Sequence, residues 1–582
     1  MKKKIVGILV ATLLIATAIL PLVGMGYEIE NGADEITVNE NKNVIIPSFW
    51  TYDRPCISIF KTDWGAISKT NFGNPPNSFD LRNVDGKNYV TSVKCQSGGT
   101  CWAHAVIACM EGNLLMTGNW EKAGETGKPN LAEYHLDWWN GFNTFFNDDV
   151  PSSDGLTPHW GAQCRIAAAY FARGEGAVFS EDANDETEYD DNWYNSDPDR
   201  FDDSYHIYYP RDIEIYDVGE NLENIDLIKN KIMTQGPINI VFRFDDQFLD
   251  ENYVHYQPSS NSLDANHNVV IVGWDDDIVS SAPGNGAWLC KNSWGSGWGN
   301  DGYFWISYYD KWCCQEPQMG AVSFQDVKPL AYDHIYYHDY HGWRDTKTDC
   351  NEAFNAFAST GFQRLVAVSF YTAVDDVNYN VEVYDSFQDG QLLNELATES
   401  GTITYTGFHT VDLNTPVILA EDDDFYIYLQ LSAGGHAFDR TSEIPVLLGI
   451  TEPPQPEKSI DFDFNTLGKT QLSSEGGITV ESVSYPQQSF YRTGLTWLDL
   501  YDFNDTANFC IKALTIDIVA QSGDFEPDGD VDMDDLARLC ASWLKGIGDV
   551  GYDPTCDISN PKDQFINFKD FAELANNWLI GK

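Results

Sequence analysis

The stretch Val93 to Ala105, VKCQSGGTCWAHA, constrains this 582-residue chain more than any other. Gln96 is followed by a glycine-rich turn and then by Cys101. From Cys101 to Met116 apolar residues recur at helical spacing (Trp102, Ala105, Val106, Cys109, Met110, Leu114), which predicts a helix with the thiol at its N-terminus. The positive end of the helix macrodipole lowers the pKa of a thiol placed there, as does a neighbouring imidazolium, and the thiolate is the nucleophile. The Gln96 amide and the backbone N–H of Cys101 are then the candidate donors to the oxyanion of an acyl-transfer intermediate.

A nucleophile of this kind needs a base and a group that orients the base, and both occur far downstream. His267, in DANHNVVIVGWDDD, opens a β-branched run from Val269 to Val272 that reads as a buried strand. Asn292, in AWLCKNSWGSGWGNDGYFWISYY, follows an apolar strand, Trp288 to Cys290. Its side-chain oxygen would accept from the distal ring N–H of His267, and Trp294 would cover that bond from water. A lone cysteine at a helix start is more often a small buried hydrophobe, and a lone buried histidine a satisfied core group. The full set, in this order, favours catalysis.

Gln96, Cys101 with Trp102, His267 after Asn266, and KNSWGSGWGNDGYFWI around Asn292 resemble the papain family of cysteine proteases, in that family's chain order, over roughly residues 77–322. The resemblance implies a two-lobed fold, a Cys101–His267–Asn292 triad with Gln96 in the oxyanion hole, and supporting or substrate-facing roles for Trp294, Asn266 and Trp102. Three departures stand out. The segment Ser97 to Thr100 is one residue short; His104 stands where the family commonly has an aromatic residue; and Gly98 stands where it often has a disulfide cysteine. His104 reads as a packed core residue.

The length suggests about three or four domains. A formal charge of −54 argues against nucleic acid or an anionic membrane as partner. The N-terminus, MKKKIVGILVATLLIATAILPLVGMG, has three lysines, an apolar run from Ile5 to Leu20 and small residues beyond it, the pattern of a signal peptide over 1–26, with an uncleaved anchor as the alternative. Residues 27–76 then read as a pro-region, processed near Asn74 to Asn77, or as a plain extension. Helices are expected at Ala162 to Ala172 and near Ile225 to Thr234, with a strand at INIVFRF between the latter and His267. The acidic segment Glu181 to Asp203 lacks regular ligand spacing and reads as a solvated insertion. The protease domain is placed at 77–325.

From 330 to 519, short alternating segments separated by Asp, Asn and Gly turns predict a β-sandwich. Its place after the protease resembles the lectin-like domain of some bacterial and archaeal papain-type enzymes, which implies carbohydrate as a ligand. In 523–582 a second specific signal appears. Asp524 to Asp535, DFEPDGDVDMDD, sets oxygen ligands at Asp524, Glu526, Asp528, Asp532 and Asp535, adds the carbonyl of Asp530, and has a glycine at position six, as a calcium loop requires. DLARLCASWL recurs 35 residues later as DFAELANNWL, behind a less regular loop with Asp557, Ser559, Asp563, Asn567 and Asp570. Paired loops of this kind resemble a dockerin module, which implies structural Ca2+ and a cohesin domain as partner; an independent calcium-stabilised tail is the alternative.

The twelve cysteines of an exported chain suggest disulfides, Cys540 with Cys556 among them. No Cys or His spacing fits zinc. The fold expected is therefore α+β: a papain-like two-lobed protease domain, an all-β sandwich and a small α-helical dockerin-like module. The function expected is that of a secreted cysteine endopeptidase attached to a scaffold or cell surface and needing no cofactor for catalysis. A surface adhesion or docking protein with a vestigial protease domain is the rival.

Overall fold

The computed structural model describes residues 74–151, 155–180, 191–317, 319–444, 478–518, 522–525, 531–559 and 561–578. The signal-peptide expectation lies outside these, as does the pro-region apart from residues 74–76. No helix among the described residues is long and apolar enough to cross a membrane.

The helix that begins at the nucleophile runs Cys101–Thr117 and is stopped by Gly118, whose φ of 69° is the left-handed conformation that ends helices at little cost to glycine. Every residue from Cys101 to Leu114 is buried. It is thus a central helix rather than a surface one with a single apolar stripe. Its buried polar residues are bonded, His104 through its Nδ1 to Thr100 O at 3.0 Å. Asn113 accepts from Val327 N at 3.0 Å and donates to Gln235 O at 2.8 Å. Glu111 accepts from Leu131 N at 2.9 Å. Around it pack the helices Glu133–Trp139, Cys164–Ala172 and Ile225–Gln235.

Opposite lies a long sheet. In spatial order its strands are Val254–His255, Tyr303–Ser307, Ala287–Lys291, His267–Asp275, Ile238–Phe242, Ala321–Pro329 and Tyr208–Tyr216, with Ser78–Asp80 pairing the C-terminal end of the histidine strand. The β-branched run expected at Val269 to Val272 is the centre of the nine-residue strand His267–Asp275, all but its last residue buried. Burial on both faces explains why it reads as continuously apolar instead of alternating.

The sheet does not end with the protease strands. Tyr208–Tyr216 pairs antiparallel with Gly407–Leu419, matching Ile213 to Phe408. The same sheet continues through Gln363–Thr372, Ile511–Asp517 and His334–Tyr336. A second, six-stranded sheet, Gln391–Ile403, Val377–Gln388, Asp424–Leu431, Glu352–Ala358, Ser489–Thr493 and Thr496–Asp499, completes the sandwich. Alternate residues of these strands (Val381 and Val383; Phe425, Ile427 and Leu429; Val368 and Phe370) fill a common core, as the period of two requires.

Near the C-terminus two helices, Met533–Ala541 and Phe568–Asn576, start with the same capping box. Asp532 and Asn567 cap helix N–H groups, while Asp535 and Asp570 bond back to the cap residues. The 35-residue repeat seen in the sequence is thus repeated in hydrogen bonds. Phe525, Val531, Leu539, Cys556, Ile566 and Leu574 form a separate small core. The Cys540–Cys556 bridge is not formed, since both are free thiols: Cys540 points outward from its helix whereas Cys556 lies in the core.

Candidate functional site

The helix start, the end of one strand and the residue after another converge. Cys101 is fully buried at the helix N-terminus. The backbone N–H groups of Asn268, next to His267, of Trp102 and of Cys101 itself favour the thiolate form of its sulfur. His267 begins its strand, and its Nε2–H donates to Asn292 Oδ1 at 2.8 Å. Asn292 follows the strand Ala287–Lys291, whose Lys291 pairs with Val270, so sheet register sets this bond. Its Oδ1 also accepts from Ser293 N at 2.9 Å. Trp294 stacks on the imidazole at 4.5 Å and 20°. Phe244 and Trp298 abut Trp294 edge-on at 4.7 and 4.9 Å. Aromatic pairs of this geometry are worth about 0.5–1.5 kcal/mol beyond their area and fix the ring plane. With Nε2 committed, the buried Nδ1 of His267 has no protein partner and is the nitrogen left for a proton from sulfur.

The electrostatics depart from the expectation of a lowered thiol pKa. Burial pushes Cys101 up to about 11 and outweighs the N–H donors from Asn268, Trp102 and Cys101. Burial likewise pushes His267 down to about 4, against the Asn292 bond that raises it. Each value is the cost of making one charge alone in a closed site. A proton passed from sulfur to imidazole makes both charges at once, and their mutual attraction offsets much of that cost.

Gln96 is held at two ends. Its backbone N–H donates to Ser293 O at 2.8 Å, its Oε1 accepts from Ser293 Oγ at 2.6 Å, and its Nε2 donates to Gly98 O at 3.0 Å, leaving one amide hydrogen for a ligand. Ser293, which the sequence reading passed over, thus ties the glutamine to the asparagine. Trp102 is fully buried and packs in the core next to Cys101. Asn266 bonds both ways with the Phe244 backbone, at 2.8 and 3.2 Å, and shapes the loop before His267. His104 is a packed core group: its Nδ1 bonds Thr100 O at 3.0 Å and burial holds it near a pKa of about 3.

Behind the site lies a polar cavity lined by Lys94, Glu111, Glu133, Lys291 and Asn292 among others. Lys94 bridges Glu133 at 2.7 Å and Glu111 at 3.2 Å, which together hold it above its ordinary pKa in spite of burial. Lys291 donates to Thr91 Oγ1 at 3.1 Å, and burial lowers it to about 8. The charges balance, two against two, as buried charges must. Sequence reading missed this group because its members are scattered singly among apolar residues.

Of the metal-ligand expectations, residues 526–530 lie outside the described residues, so Glu526, Asp528 and Asp530 are not assessed. Asp535 accepts from Phe525 N at 2.5 Å and Asp532 N at 2.7 Å, roles that close the loop. In the less regular second loop, carboxylate oxygens of Asp557, Asp563 and Asp570 all lie within 4.8 Å of one another. Asp570 accepts from Ile558 N and Ser559 N, and Asn567 Nδ2 reaches Asp563 at 3.2 Å. Converging hard oxygen donors suit a calcium-sized cation.

A buried cysteine at a helix start and a histidine–asparagine bond on an adjoining sheet are the residue types a thiol hydrolase uses. Comparison with known proteins narrows this. Residues 170–322 match the papain family cysteine protease model and residues 335–447 the lectin like domain model. Similar relatives include mouse procathepsin L, 26% identical over 236 residues, 40% of this chain and 60% of that protein. Cathepsin B-like cysteine proteinase 6 of Caenorhabditis elegans is 33% identical over 86 residues, 14% of this chain and 21% of that protein. The chain thus spans about a fifth and three fifths of these two curated relatives. In fold it is similar to the protease and lectin-like domains of Cwp84, a surface layer associated protein of Clostridium difficile, with a TM-score of 0.55 and 19% identity over 77% of this chain and 90% of that one. A second Cwp84 structure, after propeptide cleavage, gives a TM-score of 0.54 and 20% identity over 76% and 99%. The chain carries a papain-family cysteine protease domain followed by a β-rich lectin-like domain.

Proposed function

We propose that this chain is a cysteine endopeptidase whose catalytic residues are Cys101, His267 and Asn292. The observation that carries the reading is the His267–Asn292 bond beneath Trp294, which leaves the buried Nδ1 of His267 without a protein partner. The Cys101 proton passes to His267 Nδ1 as sulfur attacks the peptide carbonyl carbon. Gln96 and the Cys101 N–H hold the oxyanion, and collapse breaks the C–N bond while Nδ1–H protonates the leaving amine. Water, deprotonated by Nδ1, then displaces sulfur from the thioester and frees the acid. Asn292 keeps the ring aimed. The test is mutation of Cys101→Ser with peptide turnover and epoxide labelling as readouts. Hydrolysis should vanish and labelling of residue 101 with it; hydrolysis that survives rejects the assignment.

Export is part of the same proposal, supported by the lysine-rich apolar N-terminus and by the surface-layer association of the similar Cwp84. Residues 27–76 act as a pro-region, in keeping with the precursor form of procathepsin L. The lectin-like sandwich takes a carbohydrate ligand, a reading that rests on its family match. The C-terminal module is dockerin-like. Asp557, Asp563 and Asp570, with Asp524 and Asp535 in the first loop, hold Ca2+, whose charge offsets the gathered carboxylates, and a cohesin domain is the partner. Calorimetry with calcium and then with a cohesin panel tests it; absence of calcium binding removes that partner.

A further inference from the structure

The turn between Gln96 and Cys101 is gripped from outside by two residues that play no part in the site above. Asp137 is a buried residue of the helix Glu133–Trp139, and His159 lies on the loop before Cys164–Ala172. Both the backbone N–H and the Nδ1–H of His159 donate to Asp137 Oδ2, at 3.0 and 2.6 Å. His159 is thereby held at φ 69°, a left-handed conformation that costs a non-glycine residue about 1–2 kcal/mol. In that pose its carbonyl accepts from Gly99 N at 2.6 Å. Its carbonyl and Cβ lie so near Gly98 that a Cβ there would meet each at 3.0 Å. The imidazole is backed by Tyr194 at 4.1 Å and by the edge of Trp138 at 4.9 Å. Tyr134, on the same helix as Asp137, accepts from Ser97 N at 3.0 Å.

Ser97 N and Gly99 N are thus both bonded and Gly98 closely approached by this group. We propose that Asp137, acting through His159, is a positioning pair that holds the oxyanion turn. The inference rests on the catalytic reading above. Neither residue touches the reacting atoms. Their effect passes through the turn to the Gln96 amide and the Cys101 N–H, the donors whose stabilisation of an oxyanion depends on placement more than on strength.

The test compares two reactions of the same sulfur in Asp137→Ala, His159→Ala and His159→Asn proteins. Peptide hydrolysis needs the oxyanion donors. Alkylation by iodoacetamide does not: an S–C bond forms, a C–I bond breaks and iodide leaves, with no oxyanion. Removing one donor outright costs acyl-transfer enzymes about 100- to 1,000-fold, so loosening the turn should lower kcat/KM by roughly 10- to 100-fold in both alanine proteins. Alkylation of Cys101 should stay within about twofold of wild type, the thiolate being untouched. His159→Asn should recover most activity, because asparagine takes the left-handed conformation readily and can still donate to Asp137. Parallel loss of hydrolysis and alkylation overturns the proposal, since the pair would then serve the nucleophile or the fold. Full hydrolysis in the alanine proteins overturns it too. A wild-type protein that alkylates but hydrolyses no peptide points to failure of the catalytic reading instead.

Discussion

The cleft and the C-terminal module are built on opposite plans. In the cleft, residues separated by well over a hundred positions meet, and each is fixed by sheet register, stacking and burial: Cys101, His267 and Asn292 are almost wholly inaccessible to water. In the module the fixing groups are neighbours in sequence, a repeated loop and capping box over a core of six residues. A site assembled by a large core keeps its geometry without outside help. A six-residue core does not supply much stability by itself, and the proposed calcium would add to it.

The sharpest test of the contrast is His267→Ala. It should lower peptide hydrolysis by about 10,000-fold or more, because nucleophile and base act as a unit, and should leave the calcium response of the module unchanged. Chelation is the converse experiment. EDTA should unfold the module, read as lost helical circular dichroism and altered fluorescence of Trp543 and Trp578, while hydrolysis stays within about twofold; loss of both would show that the regions are coupled. Asn292→Ala comes next, with kcat reduced by roughly 100-fold, because Trp294 still holds the ring plane when the hydrogen bond is gone.

Acid bears on the cleft through His267. His267 is depressed to about 4 in the folded protein from an ordinary 6.5. Its contribution to stability is therefore whole above about pH 6.5 and is lost as pH falls toward 4. Hydrolysis should fall with it, by up to tenfold per unit below about pH 4, since a protonated imidazole cannot take the thiol proton. The smallest effect belongs to the caps. Asn567→Ala removes the acceptor for Lys569 N and should cost about 1 kcal/mol, seen as a shift in the calcium midpoint of the module alone.

The same contrast governs what could be read in advance. Helix starts at Cys101 and near Asp532, the strand after His267 and the 35-residue repeat all follow from local spacing, and the structure has them. The supports of the cleft do not follow. Nothing in the chain near Ser293 announces that its hydroxyl holds Gln96, and nothing near residue 159 announces a bond to Asp137. Charges such as Glu111 and Lys291 look like surface residues until the fold encloses them together. The thiol pKa went the other way from the helix-end expectation because dipoles are a local property, whereas desolvation is set by the whole core. The pairing of protease and sandwich strands was equally hidden, as edge residues of a strand do not encode which distant edge they meet.

That pairing has a mechanical result. Backbone bonds between Tyr208–Tyr216 and Gly407–Leu419 weld the catalytic half to its neighbour along a shared strand edge rather than through a hinge. Any surface the sandwich were to hold would therefore also fix the direction in which the Cys101 end of the sheet faces, like a blade fixed to its handle.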